Sequence, residues 1–349
     1  MFKFFLTERF NNLPDLVFLA KEPNMGKGYT IATLTSADTH LPHEVVTDPK
    51  EADFILVPHY VKECSEETKK QIAKVVLFAK QHNKTACVFL SGDYADKVWF
   101  PDVIILKATQ YRYQKRENEI IMPPVSEDLA RIFGFKKRSK SQMPSIGFCG
   151  WAHTSVPKRT FLTMRFNVLY LWDFIFGTHF AVKTKGIYFR SRAMDAFRKA
   201  KETVNNFIIR GSFSGRIDSV EIDPKKARME FVSNIQDNDF SLCVKGDGNH
   251  SVRFFEALSL GRTPFLLDTD VTLPLEKTID YKSICVSLSY KEVSVASESL
   301  ARFYNSITDE SFQEMQQSAR EIYQKYLALP AFLTYVFDRL KAGYTAETL

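Results

Sequence analysis

Apolar runs of strand length take turns with longer segments of helical spacing along both halves of the chain. In the first half "ADFILVPHY" (52–60) is a short apolar run of the kind buried strands carry. "SEETKKQIAKVVLFAKQHN" (65–83) follows, with Ile72, Val75, Val76 and Ala79 at the spacing of one helix face. "TACVFLSGD" (85–93) again reads as a strand and ends in a Gly-Asp turn; "DVIILKAT" (102–109) and "EIIMPP" (119–124) predict further strands. The rhythm breaks at "GFKKRSKSQMP" (134–144), a basic, polar stretch closed by proline. It restarts with "SIGFCG" as a strand, a long helix from about Lys158, "NNFIIRG" as a strand, "DPKKARMEFVSNIQ" as a helix and "FSLCVKG" as a strand. From Val293 onward the pattern is almost wholly helical. Alternation of this kind predicts parallel sheets with helices on their faces. The division expected is an N-terminal Rossmann-like domain (1–133), a linker (134–144), a C-terminal Rossmann-like domain (145–325) and a helix (326–349) free to pack back on the first domain. Two doubly wound α/β halves so joined leave a cleft, and such sheets take ligands at the carboxyl ends of their strands.

Composition narrows the class. A chain of 349 residues with 45% hydrophobic and 25% charged residues and 30 phenylalanines has the apolar surface of a folded protein, not a disordered one. The net charge of +6 suits phosphorylated ligands and is modest for this length. Lys136, Lys137, Arg138 and Lys140 form a basic run without interleaved aromatics, which reads as a solvated connector and predicts no nucleic-acid partner. Five singly scattered cysteines offer no zinc or redox pair and read as core residues in a reducing compartment such as a cytoplasm. The longest apolar run, "FLTMRFNVLYLWDFIFG" (161–177), is interrupted by Arg165 and Asp173. It reads as a buried or interfacial helix, so no membrane span is expected and peripheral association stays open.

The chemistry concentrates in "KGDGNHSVRFFEALSLGRTPFLLD" (245–268). "GDGNHS" is the loop at the carboxyl end of a strand, Asn249 or Ser251 is placed to cap the next helix, and Gly261 to end it. Phe254, Phe255 and Leu258 can face the sheet, while Arg253, Glu256 and Ala257 share another face. Free N–H groups at a helix start backed by an arginine favour phosphate. A glutamate one turn further in can accept from the two hydroxyls of a ribose. Arg253 and Glu256 are equally spaced for a plain surface ion pair, and spacing alone leaves both readings open.

The stretch "DFSLCVKGDGNHSVRFFEALSLGRTPFLL" (239–267) resembles the signature of the exostosin-like glycosyltransferases, glycosyltransferase family 47. The match takes in Phe240, Leu242, Cys243, Gly246, Ser251, Arg253, Phe254, Glu256, Ala257, Leu258, Gly261 and Pro264. "TDPKEADFILVPHY", "FLSGDYAD" with Tyr94 in place of the usual histidine, and "SIGFCGWAHTSVPKRTFL" with Arg159 are weaker echoes of flanking segments. The resemblance implies a GT-B fold and an inverting transfer of sugar, usually from a UDP-linked donor, to a glycan hydroxyl. It implies that Glu256 holds the ribose, that Arg253 and Ser251 hold the diphosphate, and that Gly246 lets the loop backbone approach it; Lys245, Asn249 and Arg159 complete the expected donor set.

Inversion needs a base on the acceptor side. Asp93, at the end of a strand in the N-terminal half, is the first candidate; His59 in "VPHY" and His153 in "GWAHTS" are alternatives. Asp268 and Asp270 in "LDTD" superficially resemble a metal-holding Asp-x-Asp pair. The GT-B class generally works without a metal, so none is expected, nor any cofactor beyond the UDP-sugar itself. The competing reading is a module of the same fold that binds a nucleotide sugar or glycan and has lost the chemistry.

Overall fold

The computed structural model describes residues 1–20, 36–93, 95–152, 155–211 and 223–349. Among these residues two all-parallel sheets form. The first contains β1 (Phe2–Leu6), β2 (His43–Val45), β3 (Phe54–Leu56), β4 (Thr85–Phe89), β5 (Ile104–Lys107) and β6 (Glu119–Ile121) in the order β2-β1-β3-β4-β5-β6. The second contains β7 (Ser145–Trp151), β8 (Val204–Arg210), β9 (Phe240–Cys243), β10 (Thr263–Asp268) and β11 (Val286–Ser289) in the order β11-β10-β9-β7-β8. In each sheet the chain steps outward once, then crosses its starting strand and winds the other way. The expected doubly wound, two-sheet α/β architecture is therefore present.

Ten helices accompany these strands among the described residues: α1 (Ser36–Thr39), α2 (Glu66–Gln81), α3 (Leu129–Phe133), α4 (Val156–Phe176), α5 (Gly186–Lys199), α6 (Pro224–Gln236), α7 (Val252–Ser259), α8 (Ala296–Ser306), α9 (Asp309–Ile322) and α10 (Leu329–Lys341). Local chemistry sets their ends. Ser65 caps α2 by accepting from Thr68 N, Asp223 caps α6 from Lys226 N, and Thr308 caps α9 from Ser311 N. Ile72, Val75, Val76 and Ala79 of α2 are buried, as their spacing predicts. The single long helix expected from about Lys158 is two. Gly177 stops α4 in the left-handed region at φ 64°, and α5 then doubles back.

The basic stretch 134–144 is tied down rather than solvated throughout. Arg138 pairs with buried Asp239, and Lys140 donates to Tyr304 O and Ile307 O and lies 4.5 Å over the Tyr304 ring. The last helix, α10, lies against the first sheet. Phe337 packs within 5.6 Å of the rings of Phe2, Phe4 and Phe54, and Lys341 pairs with Asp53 at 2.8 Å. One apolar core thus runs from β1 through α10 and α9 to α7. No helix among the described residues is long and apolar enough to cross a membrane.

Candidate functional site

In the second sheet the strand order reverses between β7 and β9, and open α/β sheets take ligands at the carboxyl ends of such a pair. Arg253, on the first turn of α7, stands there. Its guanidinium donates to Cys149 O on β7 and to Leu242 O on β9, and lies 3.9 Å over the Phe148 ring. Gly150 is what lets it in, since a β-carbon at that position would come within 3.0 Å of the guanidinium. Arg190, on α5, joins it and donates to Trp151 O at 3.1 Å. Burial and the neighbouring Arg253 pull the Arg190 pKa down to about 10, and burial lowers that of Arg253 too. Both stay protonated at neutral pH. Asp247 acts on Arg190 through its field, but among the described residues neither guanidinium is ion-paired. Two desolvated like charges held by backbone carbonyls are what an anion with several oxygens neutralises.

The loop 245–251 forms the floor. Gly246 N–H donates to His250 O at 3.0 Å, and a β-carbon on Gly246 would stand 3.7 Å from Arg190. Ser251 occupies the N-cap position of α7 but its hydroxyl makes no capping bond. Asn249 caps nothing: its side chain reaches Gln110 O, Asp270 O and Thr269 Oγ1, and its N–H donates to Thr109 Oγ1 at 2.7 Å. Lys245, expected at the diphosphate, is 3% exposed and gives its ammonium to Tyr111 Oη at 3.0 Å and Val182 O at 2.7 Å. The loop therefore has two sides. One faces the arginines and the other is sewn to the connection after β5.

Burial pulls the Lys245 pKa from its ordinary 10.5 down to about 7. Between those values the unfolded chain holds a proton that the folded chain does not, so stability is expected to rise with pH through this window by up to about 1.4 kcal/mol per unit. Urea unfolding at pH 7, 8 and 9 measures the slope, and Lys245→Met should flatten it. An equal slope in the variant would refute the assignment.

Glu256 is 4% exposed, and one of its carboxylate oxygens accepts from Arg228 at 3.0 Å. Arg228, on α6, also pairs with Glu127 of the N-terminal half, making a buried Glu127–Arg228–Glu256 triad across the interface. Burial works against the Arg228 charge, but the two carboxylates outweigh it and hold its pKa above the ordinary value. Glu256 and Arg253 are thus not an ion pair with each other; each has its own partners.

Across the cleft, Asp93 is exposed and its backbone abuts Gly248, where a β-carbon would meet Asp93 O at 3.0 Å. Its carboxylate raises the affinity of His250 for a proton, against the stronger lowering by burial. Among the described residues Nδ1 of His250 has no partner. His59 lies beyond β3, beside the reversal point of the first sheet, wholly buried against Phe10, with neither ring nitrogen partnered among the described residues. Burial, reinforced by Arg9, lowers its pKa to about 4, so it is neutral at pH 7. His153 lies outside the described residues. Arg159, expected at the donor, pairs instead with Asp195 on α5. Asp268 and Asp270 are both held by Arg112, at 3.3 and 3.2 Å. That ties the Asp-x-Asp turn to the N-terminal half.

Arg190, Arg228, Glu127 and His250 are the site residues the sequence does not reveal. Only the "FRSR" turn, with arginine on an otherwise buried helix face, hints at the first of them.

No family model matches the chain, and no curated protein sequence matches it. Among solved structures, the crystal structure of TarM aligns over 75% of this chain and 56% of its own, with 11% identity and a TM-score of 0.32. The chain thus spans little more than half the length of that protein. The crystal structure of a glycosyltransferase from Rickettsia africae ESF-5 aligns over 83% of this chain and 76% of its own, with 8% identity and a TM-score of 0.37.

Proposed function

We propose that this chain is an inverting glycosyltransferase of the exostosin-like kind, moving a sugar from a UDP-sugar to a hydroxyl of a glycan acceptor. The observation that carries this reading is the Arg253–Arg190 pair at the reversal point of the second sheet. The pair takes the donor diphosphate and stabilises it as it leaves. The α7 N-terminus, with Ser251 and the Gly246 backbone, adds N–H donors. Glu256, oriented by Arg228, accepts from the ribose hydroxyls. Asp93 faces this loop from the N-terminal sheet and takes the acceptor proton as the hydroxyl attacks the anomeric carbon. The matching signature residues in 239–267 support the same assignment.

UDP is expected to bind and to raise the melting temperature. Arg253→Ala should weaken UDP by about ten- to a hundredfold, the worth of a charge-assisted hydrogen bond, and leave uridine within about twofold. Calorimetric titration of both ligands decides it: equal weakening would mean that α7 has been disturbed and the diphosphate role is wrong. A panel of nucleotide sugars read by thermal shift identifies the donor.

Sugar transfer is also expected to proceed without a metal, because the arginine pair supplies the charge that a cation would. Turnover in excess EDTA should stay within a few-fold of that in buffer. Abolition by chelation with recovery on Mn²⁺ would reverse this.

A further inference from the structure

Helix α4 presents two opposite apolar faces, and the described residues cover only one. Inward, Leu162 is buried and Phe166 packs against Tyr188, Phe189 and Tyr290. Asp173, on the same side, accepts from Thr178 and from the N–H groups of Phe180 and Ala181, which folds the chain back toward α5. Outward, Phe161, Met164, Val168, Leu171, Trp172 and Ile175 are each 50–66% exposed, and Phe174 is 83% exposed. With side chains of about 150–250 Å² half or more uncovered, the face offers on the order of 1,000 Å², against roughly 300–600 Å² for the largest patch of an ordinary monomer.

The shape and charge of this face select its occupant. At about 100° per residue the exposed apolar positions from Tyr170 round to Phe176 sweep about 240°, whereas the stripe that meets a neighbouring helix needs about 100°. Residues 156–201 carry ten Lys and Arg against two Asp; without Arg190, buried beside Arg253, and the Arg159–Asp195 pair, eight cations remain against Asp173, a surplus of seven beside the +6 of the whole chain. Both acids are consumed internally, Asp173 as above and Asp195 by Arg159. A second copy docked here would set cation against cation. An anionic lipid surface would neutralise the charge and accept the wide aromatic face together.

We propose that α4 is an interfacial helix that seats the protein on an anionic membrane surface. The seat lies beside the cleft. The turn that ends α4 reaches the N-terminal half, where His179 stacks on Tyr113 at 3.9 Å, so docking through α4 brings the mouth between the sheets close to the bilayer.

Flotation of the full chain with vesicles tests this. The protein should float with phosphatidylcholine vesicles containing a quarter phosphatidylglycerol, and stay behind with phosphatidylcholine alone or in molar salt. Trp172→Glu combined with Phe176→Glu should lower the bound fraction tenfold or more. Arg165→Glu, which leaves the apolar face intact, should lower it severalfold. Unchanged melting and UDP binding in the variants keep this result separate from folding and from the proposed transfer reaction. The proposal is overturned if the parent protein ignores anionic vesicles or if the variants bind as it does. It is overturned equally if sedimentation shows a parental dimer that Trp172→Glu dissociates, which would make α4 a seam between copies.

Discussion

Asp93→Asn is expected to lower kcat by roughly 10²–10⁴, the range that general-base catalysis supplies, while UDP affinity stays within about twofold. The substitution keeps the size and turn hydrogen bonding of the side chain and removes only its basicity. Because Asp93 is exposed and adjoins Gly248 through its backbone, the variant should melt with the parent. The carboxylate also favours protonation of His250, so the pH profile of any residual activity reports on that histidine. Transfer at near the parental rate would place the base elsewhere. His59 and His250 would then be the next positions to change, since each is a buried imidazole with a ring nitrogen unpartnered among the described residues.

The second large effect concerns folding. Arg228→Leu leaves Glu127 and Glu256 facing one another without their shared cation, and removal of one member of a buried ionic group costs about 3–5 kcal/mol. Urea unfolding of the two proteins measures it. Burial already raises the Glu127 carboxyl pKa despite the lowering by Arg228, so part of the lost stability should return on acidification, as the uncompensated Glu127 carboxylate takes up a proton. The sign follows from a folded-state pKa above the unfolded one: its contribution is present at low pH and lost as pH rises. A loss under 1 kcal/mol would show that the triad is solvated and that Glu256 is free of Arg228.

The stretch 239–267 is legible in the sequence because its structure is local. Strand, loop, helix and strand follow one another, and β9, α7 and β10 occupy the segments their patterns indicate. What that stretch touches is not local. Arg253 meets Cys149, 104 positions away, and Glu256 and Arg228 are separated by 28 positions on different helices. Lys245 and Asn249 look like ligand groups because a glycine-rich loop at a strand end is open on paper. Only the packed molecule shows that one side of the loop is closed by Thr109, Gln110 and Tyr111. Three strands, β1, β2 and β11, go unread because half-buried or exposed polar positions such as Lys3, Glu44 and Ser287 interrupt their apolar runs, whereas the equally short β3 and β6 are buried throughout. The division of α4 from α5 turns on Gly177, a single residue inside a run that is apolar on both sides.

The docking of α10 against β1 and β3 imposes an order on synthesis. Phe337 joins Phe2, Phe4 and Phe54 in one core, and it leaves the ribosome about 280 residues after Phe54. At translation rates of about 5–20 residues per second this is a delay of roughly 15 to 60 s. During that interval the inner face of the first sheet has its strands but not its lid, and its exposed phenylalanines are a natural target for a chaperone. The sheet made first is the one finished last.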